Sequence, residues 1–244
     1  METVENWQCF NYDELTSTND EALRLSSHSG KARLVVIADR QTAGRGRRGR
    51  SWTSPSGNLY MSQILPWSRQ DNGILCLICS LAILMTIRQF DSEADLKLKW
   101  PNDVLLCGKK VSGILLEVGA EENMVCGIGV NIKVAPQNEK ILYATCSLRD
   151  CGINCECREF MQQYLYNFNQ LQDDYTTKGA AEISELWQQF AHNEGERITV
   201  RLPKKEISGL YRGLNAKGFL LLETEDKQVI TVSAGDVFVM TDTE

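Results

Sequence analysis

Leu34-Val-Val-Ile-Ala38 leads into Gln41-Thr-Ala-Gly-Arg-Gly-Arg-Arg-Gly-Arg50 and then Ser51-Trp-Thr-Ser-Pro55. The apolar run reads as a buried strand. The loop after it sets Arg45, Arg47, Arg48 and Arg50 among Gly44, Gly46 and Gly49, with no acidic residue from Arg40 to Arg50. Glycine lets backbone approach a ligand closely, and guanidinium groups fork onto phosphates and carboxylates at any working pH. A strand feeding such a loop predicts an anion-binding loop at a sheet edge. Three glycines and four like charges further predict a loop that an anion orders. A solvated loop and a nucleic-acid arm are the alternatives, but the run is neither terminal nor low-complexity. It is not a Walker A loop or a dinucleotide fingerprint, since no Gly-Lys-Ser/Thr ends it.

A net charge of −6 makes these arginines a local feature and not a general polyanion-binding footprint. The 244 residues, 43% of them hydrophobic, allow one large domain and a small one. Nine cysteines, an odd number with no signal peptide before them, predict reduced thiols in a cytoplasmic protein. Cys76 and Cys79 lie in an apolar helical run, where thiols pack as small hydrophobes. Cys151, Cys155 and Cys157 have no second pair or nearby His to make a metal site. The run from Gly73 to Ile87 is shorter than the ~20 residues that span a bilayer, so a core helix and no membrane partner are expected.

Working outward, Trp7 to Tyr12 reads as a first strand. Thr18-x-x-Glu21 is a capping box that opens a helix through Leu25; the hydroxyls of Ser17 and Thr18 serve either capping or a ligand. Asn58 to Leu65 alternates as a strand. Lys97 to Trp100 is another, ended by Pro101 so that Asn102 and Asp103 stand at a strand end, where ligands commonly bind. Val111 to Val118 reads as a hairpin partner, and Gly127 and Gly129 inside the next strand mark close approach by a ligand or another backbone. Phe160, Met161, Tyr164, Phe168, Leu171 and Tyr175, then Ile183, Leu186, Trp187 and Phe190, recur at helical spacing and read as core. Beyond Gly195, five short strands, the last from Val237 to Met240, predict a small β-barrel. The expected domains are 1–193 and 194–244.

Ser17-Thr-Asn19, Gln41 to Arg50, Lys99-Trp-Pro-Asn-Asp103, Lys110-Val-Ser-Gly-Ile-Leu-Leu-Glu117 and Gly127-Ile-Gly-Val-Asn131 occur in that order. In this the chain resembles the biotin–protein ligases along nearly its whole length. The resemblance implies an α+β fold, with a central mixed sheet flanked by helices and a small C-terminal β-barrel. It also implies ATP, Mg²⁺ and biotin, with biotinyl-5′-AMP as the intermediate. The partner it implies is a biotin carboxyl carrier protein or domain, whose lysine receives biotin.

By the same resemblance, Ser17, Thr18 and Gln41 bind the ureido ring, while Gly44, Arg45, Arg47 and Trp52 close over biotin. Gly113 and Ile114 pair with it by backbone. Lys110 lies near the biotin carboxylate and α-phosphate, and Arg45, Arg47 and Arg48 offset charge there. Lys99, Asn102 and Asn131 serve phosphate, metal or adenine. Asp103 orients or deprotonates the incoming lysine. Two features depart from some relatives: only about 15 residues precede Ser17 where DNA-binding members carry a winged helix, and Ala144 to Leu148 holds no tryptophan to stack on adenine. No DNA binding is therefore expected, and a homodimer is possible. The rival readings are a lipoate-type ligase of the same fold, which lacks the arginine loop, and a non-catalytic nucleotide-binding module.

Overall fold

The computed structural model describes residues 2–28, 33–120, 122–136 and 144–239. Strands β1 (Glu2–Val4), β2 (Trp7–Leu15), β3 (Leu34–Gln41), β4 (Leu59–Pro66), β5 (Leu96–Lys99), β6 (Asp103–Leu106), β7 (Lys109–Val118) and β8 (Asn123–Val130) form one sheet. Their order is β1-β2-β3-β4-β8-β7-β6-β5. Helix α1 (Thr18–Ser26) carries the chain from β2 across to β3, and these two strands pair in parallel as such a crossover requires. The neighbouring pairs are antiparallel, so the sheet is mixed, as expected. Strand β1 precedes the first strand read from the sequence, and Glu5 and Asn6, at φ 49° and 67°, make the two-residue turn between β1 and β2.

Helices on both faces explain why β3 shows no polar–apolar alternation. Leu34 and Val36 face α1 with Ala22, Ile64 and Val125, whereas Val35 joins the larger core with Leu59, Met61, Cys126 and Ile128. That core is filled by α2 (Asn72–Phe90), α3 (Cys157–Lys178) and α4 (Ala180–Gln188). Of the 19 residues of α2, 13 are buried. The helix is longer than its apolar run, and by length and composition it could cross a membrane. Its place in the core rests instead on burial, since 72% of its apolar span lies inside the protein.

Strands β9 (Arg197–Arg201), β10 (Glu206–Leu214), β11 (Leu220–Glu223), β12 (Val229–Val232) and β13 (Asp236–Val239) make a second, antiparallel sheet in the order β12-β11-β10-β9-β13. The five strands expected are present, with Met240 outside the described residues, but the barrel is not closed: β12 and β13 are its two edges. The physical reason lies in where the apolar face goes. Ile198, Val200, Tyr211, Leu220, Leu222 and Val237 join the same buried cluster as α2 and α4, so the sheet covers itself against the larger unit. Trp100 Nε1 donates to Gly218 O at 3.0 Å, and Leu214 N donates to Gln188 Oε1 at 2.9 Å, across this junction.

Candidate active site

On the α1 side, the middle of the sheet is nearly bare of side chains. Gly113 of β7 pairs with Gly129 of β8, and Gly127 lies two residues before it. A Cβ on Gly127 would stand 2.2 Å from Asn19 Oδ1, and one on Gly129 would stand 2.5 Å from the Trp52 indole. Close approach, expected from these glycines, is what they permit, and Asn19 and Trp52 are the groups that approach. Beside this floor lies a cavity of about 190 Å³.

The cavity gathers Ser17, Thr18, Gln41, Arg45, Arg47, Trp52, Asn102, Asp103, Lys110, Gly113, Ile114 and Asn131, all singled out from the sequence. Three others singled out there do not line it. Gly44 lies behind Gln41, so tightly held that a Cβ would be 2.5 Å from Trp52 O and 2.9 Å from Gln41 Nε2. Arg48 turns to the second sheet, donating to Arg201 O and Asp236 Oδ2, both at 3.2 Å. Lys99 turns the same way, its Nζ 5.4 Å from the centre of the Phe238 ring. Burial, opposed by Asp103 and reinforced by Lys110, lowers the Lys99 amine to about 8.

The capping box does not form. Ser17 is the N-cap of α1 and its hydroxyl makes no capping bond. Gln41 supplies the acceptor from the neighbouring strand, its Oε1 taking Thr18 N at 2.8 Å and Thr18 Oγ1 at 3.2 Å. This satisfies one of the orphan donors at the helix start. Glu21, the expected partner in the box, bonds Tyr12 and Arg24 instead. Ser62 Oγ joins Thr18 Oγ1 at 2.8 Å to Asn19 Oδ1 at 2.6 Å, and Asn19 Nδ2 donates to Glu117 Oε2 at 2.7 Å. The end of this chain is Arg45, whose guanidinium meets Glu117 at 2.8 Å and Asp20 at 2.7 Å. Arg45 reaches the cavity with two carboxylates already on it.

Around the arginine loop, Gly46 N donates to Arg50 O and Trp52 N to Gly44 O, folding the loop back on itself with a 3₁₀ turn, Arg47–Gly49, at its tip. Arg47 Nη1 donates to Asn102 Oδ1 at 2.9 Å, and Asn102 Nδ2 donates to Ile114 O at 2.9 Å. Ile114 N donates to Asn102 O at 3.0 Å. Asn102 therefore positions Arg47, and the backbone amide and carbonyl of Ile114 are both bonded to Asn102. Lys110 Nζ lies 2.6 Å from Asp103 Oδ1 and 5.4 Å from the Trp52 ring centre. Asp236 also lines the cavity.

Two buried polar atoms at this cavity, Trp52 Nε1 and Asn131 Oδ1, find no partner among the described residues. Buried donors and acceptors are nearly always satisfied, so this pair fits a polar ligand. A metal cage is absent: among the described residues no group of three or more His, Cys, Asp or Glu side chains could hold an ion, and the nine cysteines are free. Sequence reading missed Asp236 altogether and gave no separate role to Asn19, Arg50 or Glu117. Asn19 and Glu117 were visible as polar residues within the quoted motifs, whereas an aspartate after Gly235 reads as the start of a strand and nothing more.

Residues 12–132 match the family described as the biotin/lipoate A/B protein ligase family, and residues 195–240 match the biotin protein ligase C terminal domain. A biotin–[acetyl-CoA-carboxylase] ligase of Paracoccus denitrificans is 35% identical over 239 residues, covering 91% of this chain and 96% of that protein. The bifunctional ligase/repressor BirA of Bacillus subtilis is 34% identical over 225 residues, covering 88% of this chain and 69% of that one. The biotin protein ligase of Aquifex aeolicus, solved in complex with biotin and ATP, superposes with a TM-score of 0.82 at 28% identity, covering 96% of this chain and 98% of that one. With both of its sheets accounted for by such relatives, the chain belongs to the biotin protein ligase family.

Proposed function

We propose that this cavity activates biotin with ATP and hands it to a lysine of a biotin carboxyl carrier domain. The first step joins a biotin carboxylate oxygen to the α-phosphorus of ATP and breaks the bond to pyrophosphate, giving biotinyl-5′-AMP. In the second, the acceptor amine attacks the carbonyl of this mixed anhydride and AMP leaves. The observation that carries the reading is Lys110 facing Asp103 at 2.6 Å in a cavity that also holds Arg47 and the Trp52 indole.

Bringing a carboxylate to a polyanion costs several kcal/mol of repulsion in a partly dry site. Lys110 and Arg47 are the cations that offset it, placed before charge develops. Lys110 would leave Asp103 for the reacting oxygens, and Asp103 would then be free to orient the acceptor amine or take its proton. Trp52 supplies the apolar surface for biotin. Gln41 and the Thr18 hydroxyl serve the ureido ring with the polar capacity left after their mutual bonds, Ser17 with its hydroxyl, and Asn131 Oδ1 accepts from the nucleotide. Asp103 and Asp236 are the only carboxylates on the cavity wall among the described residues. That scarcity fits Mg²⁺ arriving on the nucleotide's phosphates, since this ion keeps several waters and needs few protein ligands. When bound it would neutralise phosphate charge.

The division into residues 1–193 and 194–244, a possible homodimer and a lack of DNA binding belong to the same reading; sedimentation and a DNA titration at ~150 mM salt check the last two. The decisive experiment is ATP–pyrophosphate exchange with biotin, and separately with lipoate. Exchange with biotin alone supports the reading. Exchange with lipoate, or with neither, overturns it.

A further inference from the structure

The second sheet sends one carboxylate to the arginine loop. Asp236, the first residue of β13, accepts from Arg50 Nη2 at 2.7 and 2.9 Å, one bond to each oxygen. Arg48 Nη1 reaches it at 3.2 Å and Arg47 Nη1 at 4.0 Å. Backbone carbonyls of the same sheet add to this: Arg201 O accepts from Arg48, and Gly235 O accepts from Arg47 at 3.3 Å. The tip of the loop is thus held from outside its own sheet. Arg48 sits at φ 57°, ψ 38°, a left-handed conformation that a side chain with a Cβ takes at a cost. Its two bonds to the second sheet offset that cost.

Among the described residues, these three guanidiniums converge on a single carboxylate. The sheet itself is docked by the continuous apolar core and by the Trp100 and Gln188 hydrogen bonds. Asp236 is therefore not what holds the sheet in place. What it holds is the loop, and only Arg47 of the three meets Asn102 at the catalytic end.

We propose that Asp236 is a positioning residue that anchors the arginine loop to the C-terminal sheet through Arg48 and Arg50, keeping Arg47 over the cavity so that the adenylate is retained until the acceptor amine arrives. This rests on the adenylate reading above. A mixed anhydride is useful only while water and stray amines are kept from it, and a loop anchored at its tip opens less often than one anchored at its root alone.

The test uses the whole chain. Biotinyl-5′-AMP is formed on the parent and on D236N, D236E, R50Q and the R50Q/D236N double variant, then chased with unlabelled adenylate while release is followed, with biotin incorporation into albumin as a second readout. D236N is expected to release adenylate about tenfold faster, the size of effect ~1.4 kcal/mol produces. D236E, which keeps the charge, should stay within about threefold of the parent, a difference under 1 kcal/mol. Because the anchoring by Arg50 runs through its two hydrogen bonds to Asp236, the double variant should release no faster than the faster single one. A folded D236N that releases at the parental rate overturns the proposal, as do additive effects of the two substitutions. If D236N does not fold, R50Q removes the two Arg50 bonds from the other side, leaves the Arg48 contact, and decides by the same criterion: release at the parental rate overturns the proposal. Failure of the parent to form adenylate would instead refute the ligase mechanism, and this inference with it.

Discussion

Adding one methyl at Gly129 puts carbon where the Trp52 indole already lies. The new Cβ would stand 2.5 Å from Cε2, 2.6 Å from Nε1 and 2.7 Å from Cζ2. Carbon atoms rest at about 3.5–4.0 Å, so the ring must retreat by roughly 1 Å. In a closed core such overpacking costs ~1–3 kcal/mol. Here the ring borders a cavity of about 190 Å³ and has room to move into it. Gly129 does not have positive φ, so alanine fits the backbone and regains ~0.4–1 kcal/mol by restricting the unfolded chain. Stability should therefore fall by less than ~1 kcal/mol, a Tm shift within about 2–4 °C for a chain of this size. The cost reappears at the ligand: a 1 Å misplacement of a positioning group can cost ~100-fold, and biotin affinity is expected to weaken about 10- to 100-fold. Calorimetric titration with biotin alone, beside a thermal melt, measures both. In a Trp52→Ala background the same substitution should have no further effect on affinity. Parental affinity in folded Gly129→Ala would show that Trp52 does not lie against biotin, and the assignment would fall.

Three other outcomes are expected. Lys110→Ala should slow single-turnover formation of biotinyl-5′-AMP by ~100-fold or more with biotin binding nearly unchanged, because its charge is needed only as the transition state develops; a near-parental rate would remove Lys110 from the chemistry. Arg47→Gly deletes charged hydrogen bonds worth ~1.5–3 kcal/mol, so adenylate should form and then escape some 10- to 100-fold faster, read as biotin on bystander albumin. Burial would raise the Asp236 carboxyl, but bonding to Arg50 and the charges of Arg48 and Arg47 outweigh it and hold it below its usual range. A depressed carboxyl stabilises the fold above its unfolded pKa of ~3.9 and loses that contribution as pH falls through the folded value. The stability gap between parent and D236N should thus be level from about pH 5 to 7 and shrink below about pH 4, and a gap that stayed level into acid would contradict the pairing.

Parts of the fold whose signals are local were legible in the residues alone. Apolar runs gave β3 and α2, helical spacing gave α3 and α4, and alternation between turns gave the five strands after Gly195, because period and composition act within a few residues. The glycines of β7 and β8 announced a place of close approach, and the arginine loop a cluster of cations beside it, for the same reason. Whatever depended on which side chain meets which across the chain was left to the tertiary structure. Thr18 and Glu21 look like a capping box, yet Gln41, 23 positions from Thr18, takes the amide and Glu21 goes elsewhere. A helix terminus accepts any acceptor that the fold brings to it. The expected barrel is an open sheet because its apolar face found cover on α2 and α4, an outcome that no strand pattern encodes. Four arginines without a neighbouring acid read as mutual repulsion awaiting a ligand. The structure supplies the missing anion from Asp236, 186 positions away from Arg50, because Coulomb attraction depends on distance in space and not along the chain.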